Sequence, residues 1–185
     1  MADHYLTTPL TNEDVAKLRV SDMVYLSGTV YTARDAAHKR IAAMRERGED
    51  LPFPLEGTVI FYVGPTPPPP GRPIGATTPT SAYRMDAFAP IFHSWGVKAT
   101  IGKGIRSDAF RQSLQDYTAV YLCGPSGAGA LLSRAVREVE LLAFPELGPE
   151  AVCRFVLKDM PLIVCYDSVG GSIFVEADLK AVGLG

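Results

Sequence analysis

MVYLSGTVYTARDAAHKRIAAMRERG, residues 23–48, decides the fold class. Its first nine residues are rich in β-branched and aromatic side chains, the composition of a buried strand. From Thr32 the pattern turns to good helix formers and closes at Gly48, a glycine suited to a helix end. Thr32 is the expected N-cap, because Asp35 follows at capping-box spacing. A strand that runs straight into a helix is the unit of layered α/β architecture.

Working outward, the same alternation recurs. The polar segment from Thr7 to Val20 reads as a short strand and a helical turn. GTVIFYVGP (57–65) is a second strong strand. The stiff, donor-poor Pro65–Pro73 stretch reads as a rigid loop over a site. A helix is expected from about Ala82 to Trp95, ending at Gly96. VKATIGKG (97–104) gives a short strand and a glycine turn, DAFRQSLQDY a helix, and TAVYLCG (118–124) a strand. GPSGAGALLSRAVREVELLAF is expected to be a glycine-rich turn opening one helix. The tail from Ala151 reads as three strands, with turns at Asp159–Pro161 and Val169–Gly171. The expectation is one domain over residues 1–185, α/β or mixed α+β, with a central sheet core flanked by helices.

Bulk properties narrow the function classes. A formal net charge of −2 argues against a nucleic-acid partner or an anionic membrane surface. No apolar run approaches the roughly 20 residues that a bilayer span requires, and the N-terminus lacks the basic and apolar regions of a secretory signal. A cytoplasmic location is therefore expected. Cys123, Cys153 and Cys165 are far apart and each lies in an apolar run, without C-x-x-C spacing. Reduced core thiols are expected from them, and no metal or cluster site on this chain.

Two strand-to-helix junctions carry the candidate chemistry. Arg34 is expected in the first turn of a helix, where free N–H groups and the helix dipole already favour an anion. A planar guanidinium added there can clamp a carboxylate or phosphate. His38 follows one turn later on the same face. The alternative pairs Arg34 with a nearby acid and leaves His38 as an ordinary surface histidine. At the second junction Thr80 or Ser81 is expected to cap a helix with Arg84 in its first turn. Lys103, in the glycine turn IGKG, is a third candidate cation, or a solvated lysine. GPSGAG (124–129) could cradle phosphate, but lacks both the Walker A ending and the G-x-G-x-x-G pattern. Close helix–sheet packing explains its glycines as well.

Taken together, SGTVYTARDAAHKRI (27–41), YVGPTP (62–67), TPTSAYRMD (78–86), IGKG (101–104), ELGPEAVCRF (146–155) and DMPLIVCYDSVGGSIF (159–174) resemble the C-terminal domain, or separate β subunit, of class I iron–sulfur hydro-lyases. The resemblance spans nearly the whole chain. It implies a swivelling β/β/α domain that closes on a larger α subunit holding a [4Fe–4S] cluster, ligated by that subunit and not by this chain, in an α2β2 hetero-oligomer. It implies reversible hydration of a four-carbon dicarboxylate, fumarate to malate first, with L(+)-tartrate dehydration or a non-catalytic assembly module as alternatives. Arg34 and Arg84 match the family's carboxylate-binding arginines, and Thr80 the proposed proton-abstracting group, with Lys103 beside it. His38 and Ser81 fall in the same implied pocket. The chain has Thr78-Pro79-Thr80-Ser81 where the family commonly has Gly-Pro-Thr-Thr.

Overall fold

A computed structural model describes residues 1–125 and 127–174. Five strands follow in chain order, each parallel to the one before: β1 (Asp3–Thr7), β2 (Met23–Thr32), β3 (Val59–Phe61), β4 (Ala99–Gly102) and β5 (Val120–Cys123). The connections carry helices α1 (Asn12–Ala16), α2 (Asp35–Glu46), α3 (Ala89–Ser94) and α4 (Asp108–Asp116). After β5 come α5 (Gly129–Ala135), β6 (Val136–Ala143) and the long strand β7 (Val152–Tyr166). β7 runs antiparallel to both β2 and β5, so the pairings close a ring of β2, β3, β4, β5 and β7. β1 and β6 lie outside it. The molecule is a mixed α/β structure with a sheet core.

The period of two in the strands explains why both faces are covered. Val59, Phe61 and Val63 point into the ring interior with Val24, Leu26, Ile101, Leu122, Phe155 and Leu162. Ile60 and Tyr62 point the other way, into a helix layer with Ile41, Phe92, Phe110 and Tyr121. Fully burying a side chain of this size stabilises by about 1.5–3 kcal/mol, so a strand apolar on both faces is held from two sides.

Six local expectations are corrected, four of them before α4. Thr32 is the last residue of β2, not a cap: its hydroxyl donates to the Ala151 carbonyl and accepts from Cys153 N–H. Arg34 takes the N-cap position of α2 in extended backbone, without a side-chain cap bond. The helix expected over 82–95 is split into a 3-10 helix, Ala82–Met85, and α3. Pro90, in the first turn of α3, has no N–H to continue a helix from upstream. Ser81 precedes the 3-10 helix without capping it.

The helix expected after Gly129 ends at Ala135, and Val136–Ala143 is strand β6. Periodicity there fits either state. Pairing with β7 decides it, supported by ion pairs from Arg154 to Glu140 at 2.7 Å and to Glu138 at 3.8 Å. In the tail, Asp159–Pro161 is no turn but a bulge inside β7. Asp159 has φ of 49° and is held by Ser27, which exchanges hydrogen bonds with its carboxylate and backbone N–H. The turn at Val169–Gly171 is present, folded around the Asp167 carboxylate. Expectations for 175–185 lie outside the described residues.

Candidate functional site

Because β2, β3, β4 and β5 are parallel neighbours, their carboxyl ends share one rim of the sheet. This is the edge where α/β sheets place ligands. Arg34 follows β2, Thr80–Arg84 belongs to the connection after β3, and Lys103 follows β4 directly. The chain order of the strands alone brings these segments together.

Arg34 is braced. Its Nη2 lies 3.1 Å from Glu150 Oε1, and its side chain is 19% exposed. Its Nε is buried without a partner among the described residues. Gly64 makes the space: a Cβ there would stand 2.8 Å from Arg34 Nη1. His38 is placed elsewhere. It is fully buried among Tyr62, Phe88 and Phe92, and its Nδ1 donates to the Arg34 carbonyl at 2.9 Å. That bond leaves Nε2 as a bare acceptor with no partner among the described residues. Burial pushes its pKa down to about 4, so the ring is neutral. It shares a helix turn with Arg34 but presents no surface to a ligand; its observed part is to hold the backbone at the start of α2.

The Thr80–Arg84 segment is pinned by backbone. Thr80 N–H donates to the Tyr62 carbonyl at 2.8 Å, Lys103 N–H to the Thr80 carbonyl at 3.2 Å, and Ala82 N–H to the Lys103 carbonyl at 3.0 Å. Gly102 permits this close approach, since a Cβ there would stand 2.8 Å from that of Ala82. Within the segment Arg84 Nη2 donates to Thr80 Oγ1 at 3.3 Å, while Nη1 lies 3.4 Å from Asp35 Oδ2. Arg84 is thus the cation in reach of the Thr80 hydroxyl; Lys103 is linked to Thr80 through backbone. The Lys103 side chain is exposed, beside a shallow depression lined by Ser81, Tyr83, Gly104, Ile105 and Phe174.

Arg84, Thr80, Ser81 and Lys103 therefore form one unit, and Asp35 joins it to the helix start that carries Arg34. Both arginines already have a carboxylate mate, Glu150 for Arg34 and Asp35 for Arg84. Glu150 gives no sequence signal, because it lies more than a hundred residues from Arg34. Asp35 is legible only as a capping residue.

Two glycines of the glycine-rich turn, Gly124 and Gly129, serve packing against this unit. A Cβ at Gly124 would meet Leu132 at 2.7 Å and Pro79 at 3.1 Å, and one at Gly129 would meet Thr78 Oγ1. Thr77 N–H donates to the Gly129 carbonyl at 3.1 Å.

Cys123, Cys153 and Cys165 are free thiols, Cys165 buried and the others half-buried. Among the described residues no three His, Cys, Asp or Glu side chains converge on a point where a metal ion could sit. These donors do not fit an iron–sulfur cluster. No described helix is long and apolar enough to cross a membrane.

The model of the family described as "Fumarase C-terminus" matches residues 3–177. The chain belongs to this family. Within it, the putative L(+)-tartrate dehydratase subunit beta of Methanocaldococcus jannaschii is 39% identical over 184 residues, covering 95% of this chain and 93% of that protein. The L(+)-tartrate dehydratase subunit beta of Escherichia coli K12 is 35% identical over 177 residues, covering 92% and 86%. Fumarate hydratase 2 of Leishmania major is 35% identical over 164 residues. That match covers 88% of this chain but 29% of the longer enzyme. The fumarase C-terminus fold thus occurs both as a separate subunit and as part of a longer chain.

Proposed function

We propose that this chain is the β subunit of a two-subunit hydro-lyase that adds or removes water on a four-carbon dicarboxylate, fumarate or tartrate. The observation that carries this reading is the double engagement of Arg84. By touching both Thr80 and Asp35 it brings the second arginine's segment against the helix start that bears the first.

In this reading Arg34 and Arg84 grip the two carboxylates, which replace Glu150 and Asp35 as their partners. A guanidinium offers several donors in a fixed fork, so exchanging one carboxylate for another is local. Thr80 hands a proton between its Oγ1 and the substrate carbon. A hydroxyl is a weak base, and a guanidinium donating to the same oxygen stabilises the charge that develops there. Ser81 and the Lys103 ammonium line the open side of the pocket and oppose negative charge on the substrate. His38 acts at one remove, by fixing the Arg34 backbone. The [4Fe–4S] cluster belongs to an α subunit, and the complex is an α2β2 assembly in the cytoplasm.

The test is reconstitution. Mixed anaerobically with its cluster-bearing partner, the chain should support fumarate hydration or tartrate dehydration, and neither protein should do so alone. A complex that forms but neither binds nor turns over malate or tartrate would mark the chain as an assembly module.

A further inference from the structure

The connection after β4 contains a group that the substrate-binding reading does not use. Arg106 is wholly buried, with its side chain 0% exposed. Its Nε donates to Asp86 Oδ1 at 2.5 Å, and Ser107 N–H donates to the other carboxylate oxygen, Oδ2, at 2.6 Å. The guanidinium carbon lies 3.4 Å from the centre of the Phe110 ring, 4.8 Å from Tyr121 and 5.5 Å from Tyr62. Among the described residues Nη1 and Nη2 have no hydrogen-bond partner, and the guanidinium is enclosed by these rings.

Such a group is poorly explained by stability. Desolvating an ion pair is costly, and apolar replacements of similar volume often fold as well or better. Its placement suggests another role. Asp86 ends the 3-10 helix that carries Arg84, and its N–H donates to the Tyr83 carbonyl at 3.0 Å. Arg106 lies three residues after Lys103. The segments bearing the two exposed cations are therefore fastened together twice. The first fastening is the backbone pairing of Thr80 and Ala82 with Lys103, and the second is the Asp86 carboxylate gripped by Arg106 and Ser107. Arg84 stands between them.

We propose that the buried Arg106–Asp86 pair is a positioning device that holds Arg84 in register with Lys103 and so sets how tightly the site grips a dicarboxylate. This rests on the hydro-lyase reading for its substrate. With the second fastening gone, the 3-10 helix is tied by the backbone pair alone, and the Arg84 fork loses its fixed aim.

The experiment compares wild type with Arg106→Lys and with the double variant Asp86→Asn/Arg106→Met. The double variant removes both charges, but its new side-chain amide keeps an oxygen to accept from Ser107 N–H. In the complex with the cluster-bearing subunit, the double variant should raise KM for dicarboxylate about tenfold or more, with a smaller fall in kcat. Arg106→Lys should lie between, because an ammonium restores the charge without the guanidinium geometry. In the isolated full chain, trypsin should cleave after Arg84 at least tenfold faster in the double variant, with cleavage after Arg134 unchanged. A double variant of lower thermal stability but unchanged KM and unchanged cleavage after Arg84 would overturn the proposal and leave the pair a structural one. A wild-type complex inactive on every dicarboxylate sinks the hydro-lyase reading instead, and the cleavage ratio still decides whether the pair holds Arg84.

Discussion

Arg34 and Arg84 both stand at the carboxyl-end rim of the parallel strands, yet the fold treats them in opposite ways. Arg34 is mostly buried, lodged where Gly64 has no side chain, paired with Glu150, and held at its carbonyl by a buried histidine. Arg84 sits on a single 3-10 turn, is half exposed, and among the described residues has Asp35 and a neighbouring hydroxyl as polar partners. The first is a fixed anchor. The second is an exposed arm on a short helix. An exposed ion pair such as Arg84–Asp35 is worth about 0–1 kcal/mol, so under the proposed function a substrate carboxylate would exchange with Asp35 at little cost. In the proposed function, one preset and one adjustable cation would admit a ligand at the open side and tighten on it.

The largest effect should come from the adjustable side. Arg84→Ala in the reconstituted complex should lower kcat/KM about a thousandfold, because truncating one partner of a charged hydrogen-bonded contact costs roughly 2–5 kcal/mol. Steady-state kinetics with fumarate and tartrate check this; full activity in the variant removes the clamp assignment.

The anchor side should show itself in pH. His38 and His93 are both buried, with pKa values pushed down by desolvation to about 4 and about 3. Their folded pKa lies below the unfolded value near 6.5, so the unfolded chain binds more protons as pH falls. The stability they contribute is complete above about pH 6.5 and declines as pH falls towards about 4 for His38 and about 3 for His93. Between about pH 7.5 and 5 each histidine should cost about 2 kcal/mol. Urea unfolding of the isolated chain at the two pH values measures the loss, and His38→Gln should remove about half of it. An unchanged slope in that variant would show that His38 is not held neutral at the Arg34 carbonyl.

A smaller effect isolates the anchor's cradle. In Gly64→Ala the new methyl meets the far end of a flexible side chain, so folding should change by less than about 1 kcal/mol. Arg34 is displaced, however, and KM should rise about tenfold. Thermal melts and kinetics together check it, and a stability loss without a KM change would mean that Arg34 does not touch substrate. Smallest of all, Glu150→Gln should shift stability by under about 1 kcal/mol and lower KM slightly, by removing the carboxylate with which substrate competes. A raised KM would instead make Glu150 a support that orients the arginine.

Legibility follows locality. The β2–α2 unit is readable because strand and helix periods switch within one continuous stretch. Arg34, Thr80, Ser81, Arg84 and Lys103 stand out because each sits where a connection meets a regular element. Spacing alone makes His38 a partner of Arg34 on the helix surface, since it gives the turn but not which neighbours bury it; here Tyr62, Phe88 and Phe92 do. Val136–Ala143 reads as helix in isolation because propensity is weak against the pairing that β7 offers. Thr32 reads as a cap because its true partners, Ala151 and Cys153, lie in a distant segment.

By itself the sequence determined the alternation of strands and helices as far as β5, the apolar faces that bury them, and which cations stand at strand ends. These are properties of neighbours along the chain, fixed by backbone periodicity and side-chain chemistry. The tertiary structure alone decided that β7 closes the ring, that Glu150 faces Arg34 and Asp35 faces Arg84, and that Arg106 grips Asp86 beneath the site. Each of those contacts joins segments far apart in the chain. They exist only once packing has removed the water that would otherwise satisfy the same charges.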